Sequence, residues 1–121
     1  VGSEMCIRDR NNALKNRNEN GEINNKGVLK MVEGYFTELT FLFSELYRVC
    51  KTGAYVAFVN DNVRYAGEVI PVDFLTTNLA EQIGFTPVKI YTLKQQKGNS
   101  SQQMKKYGRV ALRKSITIWK K

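Results

Sequence analysis

A chain of 121 residues with 42% hydrophobic content can bury a core but is small for an α/β enzyme, so one domain or part of one is expected. It has no histidine, and one of its two cysteines lies in a leader set aside below. A disulfide framework, a Cys/His zinc centre and a histidine-based triad are therefore excluded, and no metal site is expected. The formal net charge of +8 is unevenly spread, with ten basic residues and no Asp or Glu from Gln82 to Lys121. A one-signed field of that kind either suits a polyanion, nucleic acid first, or is a solvated basic surface.

The first stretch, Val1-Gly2-Ser3-Glu4-Met5-Cys6-Ile7-Arg8-Asp9-Arg10, has neither the basic start nor the apolar run of a signal peptide. It resembles the in-frame translation of a sequencing-library adapter. Residues 1–10 are therefore set aside as foreign, and a native beginning is expected to be missing. Residues 11–27, rich in asparagine, read as a loop or disordered leader. From Val28 the pattern changes: Val32, Tyr35, Phe36, Leu39, Leu42, Phe43 and Leu46 follow at three- and four-residue spacing, which predicts an amphipathic helix over 28–50 that packs on a sheet. Lys51 and Gly53 form its stop signal, and Cys50 reads as a small buried hydrophobe rather than a nucleophile.

Ala54 to Val59 is apolar at every position, which predicts a strand over 54–60 covered on both faces, with Asn60, Asp61 and Asn62 at its carboxyl end. Val63 to Val69 reads as a loop containing Arg64 and Tyr65. Pro71 then opens a second helix over 71–83, striped by Val72, Leu75, Leu79 and Ile83 and ended by Gly84. A second strand is expected over 86–94. A polar, basic connection over 95–113 and an alternating strand over 114–120 follow, and Trp119 on that strand is expected to pack in the core. Crossover through the second helix makes the first two strands parallel, and the last returns antiparallel. Strand end and basic connection then face one edge, where open α/β sheets bind ligands.

Leu46-Tyr47-Arg48-Val49-Cys50-Lys51-Thr52-Gly53-Ala54-Tyr55-Val56 resembles the helix-to-strand junction of class I S-adenosylmethionine-dependent methyltransferases. Val59-Asn60-Asp61-Asn62-Val63-Arg64-Tyr65 and Lys97-Gly98-Asn99-Ser100-Ser101-Gln102-Gln103-Met104 are similar to segments of bacterial site-specific DNA methyltransferases that modify the exocyclic amino group of adenine or cytosine. The resemblance covers most of Val28 to Lys121. It implies the C-terminal half of a Rossmann-like methyltransferase sheet, α/β, with two parallel strands, a final antiparallel strand and two helices, making 28–121 a partial domain.

It also implies S-adenosylmethionine as cofactor of the full-length parent, DNA as partner, and a place in restriction-modification. The family's catalytic Pro-Pro-aromatic loop and closely spaced cofactor glycines are not present in this sequence: Pro71 and Pro87 are far apart, and no two glycines are separated by a single residue. Both are expected upstream, so no catalytic residue is assigned and the fragment alone is expected neither to bind the cofactor nor to methylate.

Within that reading, Asn60, Asp61 and Asn62 either shape a target pocket or cap and turn the chain. Arg64 either contacts a phosphate or sits in an exposed loop. Lys97, Gly98, Asn99, Ser100 and Ser101 could cradle a phosphate and Gln102 or Gln103 read adenine, or the segment is a flexible polar loop. Lys105, Lys106, Arg109 and Arg113 are assigned to backbone electrostatics. An RNA methyltransferase of the same fold and a non-catalytic basic nucleic-acid-binding module are the alternatives. No run approaches bilayer-spanning length, and a cytoplasmic protein without membrane association is expected.

Overall fold

In the computed structural model, residues 8–9, 12–13, 15–16, 27–65, 68–93 and 112–121 are described. The long apolar stripe forms α1, Val28–Val49, which buries Val28, Val32, Phe36, Leu39 and Phe43 along one line. Tyr35, Phe41 and Leu42 lie off that line and are exposed. Cys50 ends the helix with extended backbone, its N–H still bonded to the Leu46 carbonyl, and is half-buried. The chain turns at Gly53, whose φ of +87° is disfavoured for a residue with a Cβ. The Lys121 ammonium donates to the carbonyls of Cys50, at 2.9 Å, and Tyr47, placing a cation at the negative end of α1.

β1, Tyr55–Asp61, leads into a short hairpin of β2, Val63–Tyr65, and β3, Glu68–Ile70. This hairpin replaces the loop expected over 63–69. α2, Val72–Ile83, follows, then β4, Thr86–Leu93, and β5, Lys114–Lys120. The sheet order is β1-β5-β4, antiparallel at both ladders.

The chain is thus α/β as expected, but the expected pair of parallel strands does not occur among the described residues. β1 and β4 share a direction only because each runs antiparallel to β5. The crossover through α2 carries the chain one strand position too far for β4 to meet β1, and β5 fills the gap on its return.

Both helices cover the same face of the sheet. Phe43 of α1 meets Phe58 and Trp119 edge-on, with ring centroids 5.3 and 4.7 Å away, and Phe85 lies 5.7 Å from Trp119. Trp119 is fully buried here. Alternation along the strands sends Val56, Phe58 and Asn60 inward with Ser115 and Thr117, and Tyr55, Val59, Tyr91 and Leu93 outward, where they are exposed. β1 therefore has the composition of a strand covered on both sides, while the described residues cover one.

Candidate nucleic-acid interface

The register places three chain segments side by side at one rim. Asp61, the last residue of β1, pairs with Lys114, the first of β5, and Lys114 pairs with Leu93, the last of β4. The connection between β4 and β5 thus leaves and returns beside the end of β1. The Asn62 N–H donates to the Arg113 carbonyl at 2.9 Å, which ties the returning chain to the strand end. Lys114 Nζ stands 4.0 Å from Asp61 Oδ1 with both side chains partly exposed, a pair worth about 0–1 kcal/mol.

Beneath the rim lies a buried carboxylate. Asp73, in the first turn of α2, is fully buried and accepts from Arg113 Nε at 2.6 Å and Nη2 at 3.0 Å, from Ser115 Oγ at 2.7 Å and from the Phe74 N–H at 2.9 Å. Burial pushes this carboxyl up, but the hydrogen bonds from Arg113, Ser115 and the Phe74 N–H, with the Arg113 charge, outweigh it and hold the group below its ordinary range. The Arg113 guanidinium is correspondingly raised by its bond to Asp73, and it also stacks 4.7 Å over the Phe74 ring. Asn62 completes the cluster by accepting the Asp73 N–H at 3.2 Å, which satisfies an orphan donor at the start of α2.

The predicted residues are distributed as follows. Asn60 is 8% exposed, and both polar atoms of its amide are buried without a hydrogen-bond partner among the described residues, an arrangement costing about 1–3 kcal/mol. Asp61 is exposed at the rim, and Asn62 is buried as the cap of α2. Arg64 is half-buried on β2. Lys97, Gly98, Asn99, Ser100, Ser101, Gln102, Gln103, Lys105, Lys106 and Arg109 lie outside the described residues. Arg113, assigned above to backbone electrostatics, pairs with Asp73, because a buried carboxylate demands a partner.

Two features were missed. Asp73 and its partners are 40 and 42 residues apart, and the signal was a carboxylate between the apolar Val72 and Phe74 in the first turn of the helix. The other is a groove of about 240 Å³ beside Asp61, between α1 and the hairpin, floored by Val32, Phe36, Val63 and Ile70 and flanked by Tyr35 and Tyr65. Burial raises the pKa of both tyrosine hydroxyls.

Comparison with known proteins finds relatives for the chain. No protein-family model matches the chain, and no solved structure does. Over all 121 residues, the first ten included, the chain is 74% identical to the Type II methyltransferase M.BsoBI of Geobacillus stearothermophilus, covering 24% of that protein.

Over its whole length the chain is thus similar to a segment of a type II methyltransferase.

The Type II methyltransferase M.AvaI of Nostoc sp. and that of Anabaena variabilis are each 47% identical to the chain over 108 residues, or 89% of the chain and 22% of each relative. The segment thus spans about a quarter of the length of the curated relatives it matches. No helix among its described residues is long and apolar enough to cross a membrane.

Proposed function

We propose that this chain is the C-terminal part of a cytoplasmic, S-adenosylmethionine-dependent DNA methyltransferase of a restriction-modification system, which modifies the exocyclic amino group of adenine or cytosine. The observation that carries the reading is the 74% identity to M.BsoBI over the whole chain. The rim geometry supports it: Asp61, Lys114 and Leu93 in one row bring the strand end and both roots of the basic connection to one edge. In this reading Asp61 and Arg64 line the approach to the target base, and the buried Asn60 and Asn62 shape the strand end beneath it. Lys97 to Gln103, with Lys105, Lys106 and Arg109, contact the DNA. The cofactor loop and the catalytic motif come from the rest of the polypeptide.

The test is to express the full-length gene, supply labelled S-adenosylmethionine and duplex DNA, and analyse the digested nucleosides by mass spectrometry. N6-methyladenine or N4-methylcytosine is expected. 5-Methylcytosine, or label entering RNA alone, would refute the proposal.

A further inference from the structure

We propose that Asp73 is a positioning residue that sets where the basic connection re-enters the DNA-facing rim, acting through Arg113. This rests on the function proposed above. Two parts of the chain some forty residues apart meet at its carboxylate. It sits at the start of α2, it bonds the last residue before β5 through two guanidinium nitrogens, and it accepts the Ser115 hydroxyl from β5 itself. The same turn is tied to the end of β1, because Asn62 accepts the Asp73 N–H and donates its own N–H to the Arg113 carbonyl. Arg113 is therefore held at both its side chain and its backbone.

The arrangement is costly as a mere brace. A fully buried carboxylate is worth keeping for stability only if its pairing exceeds the desolvation of both ions, and well-packed apolar residues often serve a fold equally well. What charge adds here is direction: the two-pronged Arg113 contact accepts one orientation, which fixes the chain at Arg113 beside Asn62 at the rim. One face of the guanidinium rests on the Phe74 ring. Lys114, next in the chain, is thereby set against Asp61.

The test uses the full-length methyltransferase that carries this segment, in wild-type and Asp73→Asn forms. Asparagine keeps the size and the acceptor for the Phe74 N–H but removes the charge. The expected result is a KM for DNA raised about ten-fold, kcat within about two-fold of wild type, an unchanged dissociation constant for S-adenosylmethionine, and a shallower dependence of DNA affinity on salt. A residue that only stabilised the fold would lower the active fraction, so kcat would fall while KM and the salt slope held; that outcome overturns the proposal. Should Asp73→Asn fail to accumulate, Arg113→Lys keeps the charge but loses the fork, and the same split in KM is expected of it. A wild-type enzyme that binds DNA without methylating it refutes the proposed function, while the salt slope and DNA affinity of the variants still decide the role of Asp73. A wild-type enzyme that does not bind DNA overturns both.

Discussion

A Cβ placed on Gly84 would fall 2.8 Å from Cζ of Tyr47. The end of α2 and the last turns of α1 are pressed together at that point, with Tyr47 in turn set edge-on to Phe85 at 5.1 Å. Gly84 also has φ +134°, so the position excludes a side chain for two separate reasons.

Gly84→Ala is accordingly expected to destabilise the protein by about 2–4 kcal/mol, from overpacking plus backbone strain. Gly53→Ala is the control, because Gly53 has positive φ but nothing within 4 Å of the added Cβ. It should cost about 1 kcal/mol, and equal losses in urea unfolding of the two variants would contradict the packing account.

The Asp73 carboxyl gives the stability a defined acid limb. Its folded pKa lies below the unfolded value, so its contribution is complete above about pH 4 and disappears as pH falls through the folded pKa. Of the charged side chains on the elements around it, Arg113 is the one bonded to it, and Arg113 stays protonated throughout. Unfolding midpoints measured from about pH 6 to about pH 2 should fall in the wild type and lose part of that slope in Asp73→Asn.

Phe43 is fully buried among Phe58 and Trp119, whereas Phe41, two residues away on the same helix, is 73% exposed. Phe43→Ala should cost about 3–5 kcal/mol and Phe41→Ala within about 0.5 kcal/mol. Thermal denaturation of the two variants separates them.

Alanine at Lys97, Lys105, Lys106 and Arg109 together should reduce the slope of log affinity against log salt for DNA by up to about 3.6, if each cation neutralises one phosphate of a duplex. Fluorescence anisotropy across a salt series reads this directly in the full-length enzyme. An unchanged slope removes the connection from the DNA interface.

Isothermal titration should show S-adenosylmethionine bound by the full-length protein and not by the 121-residue chain. Stoichiometric binding by the chain would place the cofactor's contacts within it.

Local pattern carried the helices and strands further than the pairing between them. Val32, Phe36, Leu39 and Phe43 recur at helical spacing, and Ser115 to Trp119 alternate, so α1 and β5 were legible from side chains whose burial follows from periodicity. Which strand pairs with which depends on partners far apart: Val59 opposite Ile116 is a relationship no local window contains. The hairpin of Val63–Tyr65 and Glu68–Ile70 was hidden because three-residue strands offer almost no alternation to detect. Asn62 was marked for function or for turning the chain. Its side chain instead accepts from the first turn of a helix that begins ten residues on, a role set by where α2 docks. The two-nitrogen bond between Asp73 and Arg113 was illegible for the same reason.

β1 is as apolar outward as inward: Val59, 56% exposed, continues a surface shared with Tyr91 and Leu93. Its far edge carries no ladder among the described residues. A bare edge beside a greasy plane is where foreign chains add strands and aggregates start, so the segment produced by itself calls for a solubilising fusion. Under the function proposed above, the same adhesive side offers a handle for split-enzyme experiments, in which two pieces of the polypeptide are made separately and reassembled.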